Sequence, residues 1–321
     1  MQYTRLGRTG LKVSRLCLGT MNFGASADEE TSLALMNRAA ERGINFFDTA
    51  NIYSRWLNGH IGGESERVIG KWLKSQNRHE MIIASKVRGR MWAGPNGEGL
   101  SRHHIIHALE DSLRRLQTDY IDLYQTHWFD ESTPMQETLA ALDTLIQAGK
   151  VRYIGASNHP AWMVIKACWL SDVNRLARYD SLQPHYSLFH RAEYEGELEA
   201  VCADQHIAVI PYSPLAAGFA SGKYTRGNKS PDNSRAAGSL IRGLINNEDA
   251  YHALDVIREI AAAHAVPPAQ VALAWQLAKP TITAPIVGAR RVEQLDETIG
   301  AVELKLSAEQ LRQLDAATAM F

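Results

Sequence analysis

The sequence predicts one (β/α)8 barrel over residues 1–321, opened by a β-hairpin and finished by extra C-terminal helices. Three observations predict it. Eight short, nearly continuous apolar runs recur along the chain. Longer stretches with helical periodicity separate them. Polar residues with useful chemistry stand at or just past the ends of several runs. Strands apolar along their whole length suit a parallel sheet buried on both faces, and eight strand–helix units suit a closed barrel.

Taken in order, the opening YTRLGRTGLKVS reads as a small hairpin with Gly7 and Gly10 in its turn, capping the barrel bottom. The eight runs fall at 13–20, 45–50, 81–87, 120–128, 151–158, 180–187, 206–214 and 282–289. Residues 28–42 place Leu33, Leu35, Met36 and Ala39 on one side of a helix, and Gly43 is its stop signal. Residues 101–117 begin at a Ser101 cap and align Ile105, Ile106, Leu109, Leu113 and Leu116. Residues 135–148 repeat the pattern and end at Gly149. Residues 248–264 and 267–279 form two apolar-faced helices in a row, with Pro267 and Pro268 suited to a first turn. The segment 218–243 is long, rich in Gly, Ser, Asn and basic residues, and weakly periodic. It follows the seventh run, so it is expected over the C-terminal mouth. A doubly wound open sheet is the rival fold, but no GxGxxG follows the first strand.

Composition narrows the function. The net charge of −1 gives no broad field for nucleic acid or an anionic membrane. The three cysteines, Cys17, Cys168 and Cys202, are far apart with no CxxC, which argues against a disulfide framework or a zinc site. The first ten residues are too polar for a signal peptide. No apolar run approaches the roughly 20 residues that span a bilayer. A cytoplasmic location is the expectation.

Four residues carry the chemistry. Asp48 closes INFFDTA, Tyr53 follows five residues later, Lys86 ends MIIASKV and His127 ends YIDLYQTH. In such a barrel the C-terminal strand ends build the site, and neighbouring strands lie about 5 Å apart, so the four groups can meet. A free tyrosine, with a pKa of about 10, is a poor acid at neutral pH. A nearby ammonium favours its phenolate. Lys86 is expected to supply that charge, Asp48 to hold Lys86, and Tyr53 to act as general acid or base. A neutral His127 would orient a carbonyl oxygen.

The surrounding motifs extend this reading. They are GTMNFG at 19–24, GINFFDTANIY at 43–53, GGESERVIG at 62–70, SKV around Lys86 and DYIDLYQTH at 119–127. GKVRYIGASN at 149–158, Gln183, YSPLAAGFASGKY at 212–224 and IVGARRVEQLDETIGA at 286–301 follow in order. Over essentially its full length the chain resembles the aldo-keto reductases, most closely the branch that includes potassium-channel beta subunits and many bacterial reductases. The resemblance implies a barrel that binds NADPH in an extended pose, and a tetrad of Asp48, Tyr53, Lys86 and His127. It implies that Ser157, Asn158 and Gln183 hydrogen-bond the nicotinamide carboxamide and that Tyr212 stacks on the ring. Ser213, Leu215, Gly218 and Lys223 would line the pyrophosphate path. Gly288, Arg290 and Gln294 would meet the adenosine end, where an arginine favours NADPH over NADH. Thr298 departs from the pattern, since relatives commonly carry Asn there, and this weakens an adenine contact at that position.

The expected substrate is a small carbonyl compound. Met21, Trp56, Trp92 and Trp128 are the candidates to line its pocket, together with Met91 and Phe129. The alternative function is a cofactor-sensing regulatory subunit with slow turnover, and a metal-dependent hydrolase using His127 and Asp48 is a third. The HHxxH cluster of His103, His104 and His107 reads as the polar side of an amphipathic helix and not as a metal site. The basic stretch 71–79 reads as a solvated helix end. No metal, nucleic acid or membrane partner is expected, and the sequence leaves the substrate and the oligomeric state open.

Overall fold

The computed structural model describes residues 1–229 and 239–321. The middle of the segment expected over the mouth, 230–238, lies outside the described residues. Strands β1 (Tyr3–Arg5) and β2 (Lys12–Ser14) form the opening hairpin. The barrel then alternates β3 (Cys17–Gly19), α1 (Glu29–Glu41), β4 (Phe46–Asp48), α2 (Glu64–Leu73), β5 (Ile82–Val87) and α3 (Arg102–Leu116). It continues with β6 (Ile121–Thr126), α4 (Met135–Gln147), β7 (Val151–Ser157), α5 (Ala161–Asn174) and β8 (Tyr179–Gln183). Next come α6 (Ala192–Glu195), α7 (Glu197–Asp204), β9 (Ala208–Val209), α8 (Ser239–Leu244), α9 (Glu248–His264) and α10 (Pro268–Ala278). The chain ends with β10 (Ile286–Gly288), α11 (Val292–Ile299) and α12 (Ala308–Ala317).

The eight barrel strands pair in parallel in the order β10-β3-β4-β5-β6-β7-β8-β9. Backbone bonds from Thr283 to the Val209 carbonyl (2.8 Å) and from Ile286 to the Pro211 carbonyl (2.9 Å) tie the eighth strand to the seventh. The architecture is the expected (β/α)8 barrel. Strand periodicity divides its apolar residues into two layers. Cys17, Phe46, Ile82, Ala84, Leu123, Ala208 and Ile286 point inward and fill the barrel. Phe47, Ile83, Tyr124 and Leu182, one residue out of phase, pack outward under the helices. The hairpin closes the bottom, with Leu6 and Val13 joining the interior layer. Gly7 (φ +55°) sits so close to the sheet that a Cβ would lie 2.7 Å from the Ala208 nitrogen.

Helix starts follow the capping residues. Asp28 accepts from Thr31, Ser101 from His104, and Asn247 from Asp249 and Ala250. The run at 13–20 is two elements, not one. Arg15 donates to the Gln2 carbonyl, while its guanidinium bonds the carbonyls of Leu277, Ile282 and Thr283. The chain therefore bends there from hairpin into barrel. The histidine cluster also differs from its expected placement. His103 and His107 are exposed, but His104 is buried, its Nδ1 3.1 Å from the Asn96 carbonyl and its ring 4.7 Å from that of Trp92. At one position beyond His103 it falls on the inward face with Ile105 and Ala108. No helix among the described residues is long and apolar enough to cross a membrane. The three thiols are free and buried.

Candidate active site

Inward-facing positions at the C-terminal ends of β4, β5, β6 and β8 converge on one cluster. Asp48 and Ala84 are level in the sheet, as are Lys86 and Gln125. Lys86, fully buried, donates to Asp48 Oδ1 (2.5 Å), the Thr49 carbonyl (2.8 Å) and the Tyr53 hydroxyl (2.8 Å). All three ammonium hydrogens are thus used. The turn after β4 brings Tyr53 back over the strand end, with its amide on the Ala50 carbonyl. The His127 ring lies 6.0 Å from the Tyr53 ring, edge-on. All four tetrad candidates therefore share one site.

Burial and charge oppose each other here. Burial pushes the Tyr53 phenol up; Lys86 pulls it down and Asp48 pushes it up, and the outcome lies above the ordinary value. The net direction is opposite to the lowering expected from Lys86 alone. Burial works against the Lys86 charge, but Asp48 and Tyr53 more than offset it and its pKa is raised. Burial, with Lys86 and Arg88 adding like charge, holds His127 well below its usual pKa. At neutral pH the cluster is therefore a neutral phenol, an ammonium on a carboxylate and a neutral imidazole. His127 Nδ1 is enclosed with no hydrogen-bond partner among the described residues. Arg88, just past β5, has φ +138°, an uncommon conformation for a side chain-bearing residue.

Asp48 has a second set of partners. Its Oδ2 accepts from Gln183 Nε2 (2.9 Å) and Gln125 Nε2 (3.1 Å), and Gln183 Nε2 also donates to Gln125 Oε1 (3.2 Å). Gln125 is part of the cluster although sequence reasoning gave it no role. The signal was present: it lies two residues before His127, on the same strand face.

Ser157 and Asn158 follow from β7. Ser157 Oγ donates to the Gln183 carbonyl (2.9 Å). Asn158, at φ +56°, donates to the His127 carbonyl (3.0 Å) and to Ser157 Oγ (3.1 Å), and accepts from the Tyr212 hydroxyl (3.0 Å). Asparagine tolerates that left-handed backbone better than most residues. Tyr212 is held flat on His185, with ring centroids 5.0 Å apart and planes 9° apart. Burial pushes its phenol up to about 12 and pulls His185 down to about 4.

Beyond Tyr212 the backbone makes a run of left-handed residues: Ser213 (φ 54°), Ala216 (48°), Ala217 (55°) and Gly218 (96°). Turns of this kind can aim N–H groups at an anion; here the Ala216 and Gly218 amides bond the Ser213 and Leu215 carbonyls, so those of Leu215 and Ala217 are the ones that remain within the run. Leu215 lies inside the run and is half-buried. The Lys223 side chain passes 3.5 Å from where a Gly218 Cβ would stand. Gly288, at the end of β10, is exposed, with Asn22 alongside. Gln294 accepts from the Arg290 amide (2.9 Å) and so caps the entry to α11. The Arg290 guanidinium has no hydrogen bond or ion pair among the described residues. Thr298 is buried and donates to the Leu295 carbonyl, turned into its own helix.

The aromatic candidates separate. Trp128 stacks on His127 (3.8 Å) and Trp56 stands 6.3 Å from Tyr53, while Met21 is exposed after β3. Trp92 packs instead against His104 and His107 of α3. Phe129 turns toward His159 (6.1 Å). Among the described residues no group of three or more His, Cys, Asp or Glu is arranged to hold a metal.

The parallel barrel gathers acid–base groups at the C-terminal ends of its strands. The chain is an oxidoreductase and belongs to the aldo/keto reductase family, which residues 15–319 match. It is 43% identical to the uncharacterized oxidoreductase YrpG of Bacillus subtilis (strain 168), over 98% of this chain and 95% of that protein. It is 34% identical to the versiconal hemiacetal acetate reductase of Aspergillus parasiticus, over 98% and 96%. It is also 35% identical to a probable voltage-gated potassium channel subunit beta of Oryza sativa subsp. japonica, over 95% and 92%.

Proposed function

We propose that this protein is an NADPH-dependent reductase that converts an aldehyde or ketone to its alcohol, with Tyr53 as the proton donor. The observation that carries the reading is the hydrogen-bonded chain Asp48–Lys86–Tyr53, in which one buried ammonium bridges a carboxylate and a phenol. The residues beside the tetrad fit a dinucleotide. In the left-handed run at 213–218 the Ala216 and Gly218 amides bond the Ser213 and Leu215 carbonyls, which leaves Ser213, Leu215 and Ala217 to offer N–H groups to phosphate, and the Arg290 guanidinium is unengaged among the described residues. Among the described residues Tyr212 stacks on one ring, that of His185, and its other face can take a flat heterocycle.

The bound cofactor supplies a hydride to the carbonyl carbon. The chain's own groups handle the proton. His127, neutral, donates a hydrogen bond that points the carbonyl oxygen toward Tyr53. Tyr53 gives its proton to that oxygen as charge builds there. Lys86 then stabilises the phenolate through the 2.8 Å bond, and Asp48 keeps Lys86 charged and in place. A phenol whose pKa lies above the ordinary value holds its proton at neutral pH, and its donation depends on the Lys86 ammonium stabilising the phenolate as it forms. The reverse reaction needs its phenolate and gains from alkaline conditions.

Purified protein assayed with NADPH against a panel of aldehydes, ketones and quinones is expected to reduce at least one of them. Tyr53→Phe is expected to lower kcat by about 10²–10⁴ while NADPH binding changes less than about twofold. Failure of the whole panel rejects the reaction, and loss of NADPH binding in Tyr53→Phe rejects the role given to Tyr53. Very slow turnover of every carbonyl, with NADPH firmly bound, would favour a cofactor-sensing role.

A further inference from the structure

Asp48, Gln125 and Gln183 form a closed ring of three hydrogen bonds at the floor of the mouth. Asp48 Oδ2 accepts from both amide nitrogens, and Gln125 Oε1 accepts the second hydrogen of Gln183 Nε2. All three side chains are buried, Gln125 completely. The arrangement has one consistent orientation. A carboxylate only accepts, so both glutamines must turn their nitrogens toward Asp48. Gln125 keeps its second N–H and its oxygen, and the oxygen accepts from Gln183 Nε2. Both hydrogens of Gln183 are consumed, leaving its carbonyl oxygen as the end it can offer a ligand.

The barrel wall keeps Gln125 in this pose. A Cβ on Gly155 would lie 3.2 Å from Gln125 Cγ and 2.2 Å from Ser181 Oγ, so the interior has closed around the glutamine. Asp48 in turn is tied to Lys86 at 2.5 Å. The charge of the proton-transfer cluster is thereby connected to the Gln183 amide directly through Asp48 Oδ2 and a second time through Gln125.

We infer that Gln125 is a positioning residue that, together with Asp48, consumes the Gln183 hydrogens so that only the amide oxygen faces the cofactor. It thereby selects a ring carrying an N–H donor, a carboxamide, over one carrying only an acceptor. The inference rests on the proposed function, in which Gln183 meets the nicotinamide. Without Gln125, Asp48 still holds one Gln183 hydrogen, but the other loses its partner and becomes a donor that a ligand acceptor can use.

The test compares binding of NADP+ with that of its 3-acetylpyridine analogue, which keeps the acceptor and lacks the donor, by quenching of tryptophan fluorescence. The original protein is expected to bind the carboxamide form about tenfold more tightly, the scale of one buried hydrogen bond. In Gln125→Met the ratio is expected to fall to within about twofold. Gln125→Glu supplies a second arm that does not depend on the first variant folding. Protonated, its carboxyl group can donate to Asp48 and accept from Gln183, so the ratio returns at low pH; ionised beside Asp48, it breaks the ring, so the ratio collapses at high pH. A tenfold ratio retained in folded Gln125→Met, or a ratio independent of pH in Gln125→Glu, overturns the inference. If the original protein binds neither dinucleotide, the cofactor reading fails instead, which is a separate result.

Discussion

The two halves of the mouth are built on opposite plans. Around β4, β5 and β6 the ionisable groups are buried and mutually satisfied: Lys86 spends every hydrogen on protein and Asp48 accepts on both oxygens. Around β9 and β10 the backbone is committed and one charge is not. The run 213–218 holds its left-handed turns, while among the described residues the Arg290 guanidinium makes no hydrogen bond or ion pair. The difference teaches where each half gets its function. A group that must move a proton needs a fixed neighbour that sets its pKa. A group that must bind an anion gains by meeting it unpaired, because an existing ion pair would first have to be broken.

The largest expected effect comes from breaking the satisfied half. Lys86→Met leaves Asp48 buried without its cation, a change of the kind that costs about 3–5 kcal/mol. Activity is expected to fall by at least about 10². Thermal unfolding should show the variant weakest at alkaline pH and partly recovered toward pH ~5, where an unpaired buried carboxylate takes up a proton. A variant as stable as the original at pH ~8 would mean that the pair adds nothing to the fold.

The next effect concerns buried imidazoles past β7 and β8, between the two halves. His159, just past β7, is enclosed, and its pKa is lowered by burial to about 4. Its unfolded value is near 6.5, so below that pH the unfolded chain binds a proton that the native site refuses. Stability from this group is complete above pH ~6.5 and is lost as pH falls toward ~4, by up to about 3 kcal/mol. His185, stacked under Tyr212 and also lowered to about 4, shares the same window and direction. Melting temperatures measured from pH 7 to 4.5 should fall, and His159→Gln should flatten the decline. An unchanged slope in that variant would assign the acid loss elsewhere.

The sequence carried the first half of the mouth more fully than the second. Asp48, Lys86 and His127 were legible because apolar runs end on them and strand ends face one mouth. Gln125 was not given a role, because a glutamine inside a strand looks the same whether it fills space or closes a ring. The direction of the Tyr53 shift was also misjudged: Lys86 could be read from sequence, but the burial that outweighs it could not. At the second half, motif residues were identified but their states were not. Asn158 already bridges His127 and Tyr212, Gln294 caps its own loop, and Thr298 faces its helix interior. His104 was misplaced because a helix with three histidines near its start does not declare which one faces in.

Changing the unpaired half should leave the fold intact. Arg290→Ala removes a guanidinium that makes no hydrogen bond or ion pair among the described residues, so its stability is expected within about 0.5 kcal/mol of the original. Its effect should appear in binding: NADPH weaker by about tenfold, the scale of one charge-assisted contact, with NADH within about twofold. Titration with both dinucleotides checks this. Equal losses for the two would place Arg290 on a phosphate they share and remove it from the basis for NADPH preference.

The smallest effect lies at the rim, where the comparison is sharpest between two tryptophans. Trp128 stacks on His127 at 3.8 Å, whereas Trp56 is 58% exposed and meets Tyr53 only edge-on at 6.3 Å. An exposed ring that can cover substrate but holds no catalytic group in place should contribute to binding and transition state alike. Trp56→Ala is therefore expected to raise KM about two- to fivefold with kcat nearly unchanged. Trp128→Ala frees the imidazole to tilt, so kcat should fall with it. If Trp56→Ala instead lowers kcat as far as Trp128→Ala does, the rim is part of the proton-transfer cluster and the boundary between the fixed and open parts of the mouth must be drawn farther out.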